Sequence, residues 1–76
     1  MKAYIVILAS AGKALDIAHA VRALPGVEMA DACWGSADVY AVVNVPDWKE
    51  LNQMVLDKIH SMPGIIRTDT HVALAA

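Results

Sequence analysis

Two short polar clusters interrupt an otherwise apolar chain: Gly35-Ser36-Ala37-Asp38 and Arg67-Thr68-Asp69-Thr70-His71. Both suit binding better than bond-making. The plain alternative for the first is a turn, since Gly, Ser and Asp are all turn formers. For the second it is the polar alternation of an edge strand, whose charges discourage aggregation. Binding residues, however, concentrate on strand-end loops held by a rigid scaffold, which weighs equally for function. Catalysis finds less support. His19, His60 and His71 fall on three separate segments with no i,i+4 pair of ligands, so solvated surface histidines are expected and no metal site. Cys33 has no neighbouring cation in sequence to lower its pKa, which points to a buried, inert thiol. Gly12 and Gly26 lack the spacing of a phosphate-binding fingerprint. Trp34 and Trp48 read as packing or interface residues. The chain is therefore expected to carry no catalytic residue and no cofactor.

The elements that must position these clusters follow from a duplication. Val21-Arg22-Ala23-Leu24-Pro25-Gly26-Val27 resembles Ile59-His60-Ser61-Met62-Pro63-Gly64-Ile65 at an offset of 38 residues, half the chain. Each half is then one supersecondary unit. Residues 3–9 form an apolar run suited to a buried strand. Leu15, Ile17, Ala18, Val21 and Leu24 recur at helical spacing, as do Leu51, Met54, Val55, Ile59 and Met62. Asp47 and Glu50 make an Asp-x-x-Glu capping box ahead of the second helix. Pro-Gly closes each helix. Val27–Trp34 and Ile65–Leu74 read as strands, with Gly35-Ser36-Ala37 turning the second strand into the third. The order is βαββαβ, an α+β ferredoxin-like fold with a four-stranded antiparallel sheet and two helices on one face. The first strand is apolar on both faces, Tyr4, Val6 and Leu8 against Ala3, Ile5 and Ile7. A sheet with helices on one face only then needs a partner sheet, giving a dimeric α+β barrel assembly. Ile5 is taken as one of the side chains facing that partner.

Composition leads to the same association. Residues 1–76 make one domain, and so short a chain buries only ~60–65% of its unfolded surface. It has one cysteine, hence no internal disulfide, yet it is 58% apolar. A small chain with excess apolar surface and no staple hides that surface against copies of itself. The six Lys and Arg are scattered and the net charge is −2, so direct nucleic-acid binding is not expected. The N-terminal apolar run is far below the ~20 residues of a membrane span and marginal for a signal sequence, leaving a cytoplasmic protein without membrane contact as the expectation.

Four motifs in order carry a resemblance that runs from Tyr4 to Leu74. They are Leu-Pro-Gly-Val after helix 1, Gly-x-x-Asp into strand 3, Val-Pro-Asp before helix 2, and Met-Pro-Gly-Ile-Ile-Arg-Thr-Asp-Thr into strand 4. Together they resemble the effector-binding (RAM) domain of Lrp/AsnC transcriptional regulators, here without the helix-turn-helix domain of full-length members. The resemblance implies a homodimer that assembles further, often to an octamer, with an amino acid or related metabolite bound between dimers. Co-assembly with a full-length Lrp/AsnC regulator through the same sheet and edge surfaces is a further expectation. The site residues it implies are Gly35, Ser36, Ala37, Asp38, Trp48, Thr68, Thr70 and His71. In the usual Gly-x-aromatic-Asp motif, Ala37 stands where the aromatic would be. The implied chemistry fits a zwitterion: Asp38 accepts from an ammonium, while Ser36, Thr68, Thr70 and hairpin N–H groups donate to a carboxylate. The alternative from another class is a small dimeric α+β-barrel enzyme such as a cofactor-free monooxygenase. It would need a polar group inside the cavity between sheet and helices, with Asn44 the candidate.

Overall fold

A computed structural model describes residues 1–35 and 37–74. The order is β1 (Lys2–Ala9), α1 (Ala14–Arg22), β2 (Val27–Ala32), β3 (Val39–Asn44), α2 (Trp48–Asn52) continued by a π-helical stretch (Gln53–Ile59), and β4 (Ile65–Val72). The strands form one antiparallel sheet in the order β2-β3-β1-β4, so the two central strands are the first of each half. Alternation along β1 sends Ala3, Ile5 and Ile7 to one face. There they join Val39, Ala41 and Val43 of β3, Ile17, Ala18 and Val21 of α1, and Leu51, Met54, Val55 and Ile59 of the second helix. Both helices therefore cover the same face, as the ferredoxin-like pattern requires. No buried side-chain nitrogen or oxygen among the described residues lacks a partner. Nor is any described helix long and apolar enough to cross a membrane.

The opposite face is left uncovered by the described residues. Tyr4, Val6 and Leu8 of β1 lie beside Tyr40 and Val42 of β3 and Met29 of β2, all exposed or half-buried. Ile5 is fully buried beneath the helices, so it does not belong to this face; Val6 and Leu8 do.

Several boundaries differ from those expected. β2 stops at Ala32 rather than Trp34, because the chain turns back there and the Cys33 N–H already donates to the Asp38 carbonyl at 2.8 Å. β4 stops at Val72 rather than Leu74, its last tie to β1 being the Ala73 N–H, which donates to the carbonyl of Lys2, the first residue of β1, at 2.9 Å. The second helix changes from α to π winding at Gln53, and the His60 N–H reaches back five residues to the Val55 carbonyl. The apolar pattern does not distinguish the two, since either winding returns to the same face after about four residues. Asp47 is the N-cap, its Oδ1 accepting from the Glu50 N–H at 2.9 Å, so that half of the capping box is formed.

The two Pro-Gly turns do more than end helices. The Gly26 carbonyl accepts from the Asn44 N–H of the second half, and the Gly64 carbonyl from the Ser10 N–H of the first, at 2.7 and 2.8 Å. Each half is thereby fastened to the first strand of the other. Both glycines have positive φ, +90° and +94°. A Cβ on Gly26 would lie 3.0 Å from the Asn44 carbonyl oxygen, and one on Gly64 would lie 2.9 Å from Lys13 Cβ. Gly26→Ala and Gly64→Ala should each lower stability by about 1–3 kcal/mol in a urea titration. Wild-type stability in both would mean the turns relax freely and fasten nothing.

Candidate functional site

The hairpin cluster stands at the end of the sheet where β1 finishes. Asp38 is fixed there through its backbone, which donates to the Ile7 carbonyl at 3.0 Å and accepts from Cys33. Its carboxylate Oδ2 accepts from the Ala9 N–H at 2.7 Å. That N–H sits where the β1–β4 register slips: Leu8 pairs with Arg67 and Ala9 with Ile65, leaving Ile66 unpaired. A carboxylate offers about four acceptor positions, so one such bond leaves capacity for a ligand.

Asp38 borders a hollow of about 390 Å³ lined otherwise by Gly12, Ala14, Leu15, Ala32, Cys33 and Trp34. The first turn of α1 forms part of its wall. The residue ahead of that turn, Lys13, makes no side-chain cap, so the backbone donors of the turn are not taken up by a capping side chain. Cys33 is exposed, contrary to the buried thiol expected, because β2 ends one residue before it; its Sγ lies 3.6 Å from the Asp31 carbonyl oxygen. Gly35 is exposed beside it, whereas Ala37 is buried and does not line the hollow. The aromatic at the rim is Trp34. Ser36 lies outside the described residues.

The second cluster is divided by strand alternation. Thr68 and Thr70 pair with Ile7 and Ile5 and so share their helix-covered face, while Arg67, Asp69 and His71 pair with Leu8, Val6 and Tyr4 on the uncovered one. Thr68 Oγ1 and His60 Nε2 share a hydrogen bond of 2.6 Å, tying β4 to the end of the second helix. Thr70 lines another hollow, of about 310 Å³, with Trp48, Leu51, Asn52, Val55, Leu56 and Val72. His71 Nε2 lies 3.2 Å from Asp69 Oδ2, both well exposed. Within one chain, then, Trp48 and Thr70 come together, as do Gly12, Trp34 and Asp38, but the two sets line separate hollows. The first turn of α1, with Leu15, was missed in sequence because a helix start without a capping side chain leaves no motif. No group of three or more metal-ligating side chains occurs among the described residues.

Residues 2–76 match the family model described as the Lrp/AsnC ligand binding domain. A helix-turn-helix-type transcriptional regulator of Pyrococcus abyssi is 30% identical over 70 residues, covering 92% of this chain and 44% of the regulator. The chain thus spans less than half the length of that curated relative. A solved structure from Thermus thermophilus superposes with a TM-score of 0.93 at 29% identity, covering 99% of this chain and 94% of that one. A Neisseria meningitidis transcriptional regulator, solved as a complex with L-Met, gives a TM-score of 0.84 at 25% identity, covering 97% of this chain and 49% of that one.

The two aspartates give a contrast that a denaturation series reads directly. Asp38→Ala removes the acceptor of the Ala9 N–H and should cost about 1–2 kcal/mol, most of it recovered in Asp38→Asn, which keeps an oxygen at that place. Asp69→Ala removes only an exposed partner of His71 and should stay within about 0.5 kcal/mol of wild type. Equal effects at both positions would mean that the Asp38 bond contributes nothing to the sheet end.

Proposed function

The chain belongs to the Lrp/AsnC ligand-binding domain family, and we propose that it is an amino-acid-sensing regulatory module that works as a self-associated assembly and performs no catalysis. The observation that carries this reading is the hollow beside Asp38. It sets one carboxylate among apolar walls and opens on the uncapped first turn of α1. The carboxylate would receive the ligand's ammonium, and the N–H groups of the turn its carboxylate, in keeping with the positive end of a helix. The related Neisseria regulator was solved with L-Met, which supports an amino acid as the class of ligand.

Self-association follows from the uncovered face. Tyr4, Val6, Leu8, Tyr40, Val42 and Met29 form an apolar surface continuous over three strands. We infer that a second copy covers it, and that dimers assemble further, as the family does, towards an octamer. Association also answers the division of the site: Trp48 and Thr70 line a hollow separate from that of Asp38, and a second copy would bring the two sets together. A full-length regulator of the family, using the same surfaces, is the partner through which a ligand signal would reach DNA. The enzyme alternative loses its candidate group, because Asn44 is exposed on the face opposite the helices, its Oδ1 accepting from the Met1 ammonium at 3.4 Å.

Two measurements test this reading. In a thermal-shift screen of the twenty amino acids at millimolar concentration, at least one should raise Tm. A ligand at ~100 times its Kd stabilises by about 2.7 kcal/mol, several degrees in a domain of this size. No response to any of them would overturn the sensor reading. In sedimentation at micromolar concentration the wild type should be a dimer or a multiple of one. Val6→Lys should dissociate or precipitate it, since the contact would bury an unpaired charge. A well-folded wild-type monomer would overturn the assembly.

A further inference from the structure

We propose that Trp34 sets the selectivity of the Asp38 hollow, making it a site for amines and amino acids with a large apolar, above all aromatic, body. The inference rests on the amino-acid reading above and narrows its ligand class. Trp34 is left uncovered by the described residues, with a relative exposure of 103%, and Leu15, which lines the same hollow, is 67% exposed. Large side chains this uncovered, flanking one concavity, are apolar surface waiting for an occupant. The volume, about 390 Å³, lies within the ~300–1,000 Å³ range of small-molecule sites. Its chemistry selects among small molecules. Among the described residues the lining holds one carboxylate, Asp38, and no Lys, Arg or His, so the complementary ligand carries a cation and a largely apolar body. An indole face adds stacking for an aromatic body and attraction for the ammonium. A glycine-sized zwitterion would leave Trp34 and Leu15 as wet as before, and a second anion would meet Asp38 unfavourably.

Titration calorimetry on the full chain decides, with L-phenylalanine, L-methionine, L-alanine and phenethylamine as probes. In the wild type, phenylalanine and methionine should bind at least tenfold tighter than alanine. Trp34→Ala should bring them to within about threefold of alanine, and Trp34→Phe should restore most of the gap. Sedimentation of each variant accompanies the titrations. Amino-acid binding with no apolar preference, or a preference that survives Trp34→Ala, overturns this proposal and leaves the sensor reading intact. Loss of assembly in Trp34→Ala overturns it too, since the indole would then be an interface residue. Phenethylamine binding that depends on Trp34, with no response to any amino acid, sustains the apolar-amine site and overturns the amino-acid sensor.

Discussion

Everything in this fold hangs on β1 being central and apolar on both sides. Paired with β3 along one edge and β4 along the other, it has no free backbone edge to meet water. Its inward side chains are fully buried by the helices of both halves. Its outward side chains, Tyr4, Val6 and Leu8, stay exposed or half-buried among the described residues. One strand thus fixes the core and leaves an apolar sheet face that the other described elements do not cover.

The site depends on the same strand at its far end. Asp38 is held by the Ile7 carbonyl and the Ala9 N–H, so the carboxylate is aimed by the sheet rather than by the hairpin. A carboxylate positioned this way loses little side-chain freedom on meeting a ligand, which favours binding over a flexible acceptor. The Ala9 N–H points to the β3 edge of β1 just beyond the start of β3 at Val39, so the Asp38 carboxylate takes the place of the next ladder acceptor.

Much of the architecture was legible in the sequence, and for physical reasons. The repeated Pro-Gly and the helical spacing of apolar residues are local signals, and a duplicated unit leaves few ways to pack. The division of the β4 cluster was also legible: residues 68 and 70 differ in parity from 71, so Thr68 and Thr70 cannot share a face with His71 on a regular strand. Ile5 shows the limit of that reasoning, since alternation separates two faces without saying which one the helices cover. Exposure of Cys33 turned on where β2 ends, and no composition signal marks that residue. The Asp38–Ala9 bond joins the end of β1 to the start of β3 across 29 residues of sequence, which lies beyond any local pattern.

The crossed fastening of the halves has a kinetic meaning. Ala3 pairs with Val72, so the last strand docks only when the two ends of the chain meet. Neither half owns a complete sheet: β1 finds its neighbours, β3 and β4, only in the second half, and β2 pairs with β3. An isolated half would therefore be two unpaired strands and a helix, with nothing to collapse onto. Apart from the β2–β3 hairpin, the sheet is built from contacts of long sequence separation whose loop-closure entropy must be met first, which slows folding relative to a helical bundle of this size. A nascent chain gains its native sheet only after its final strand has emerged, and until then its apolar strands must be kept from those of its neighbours.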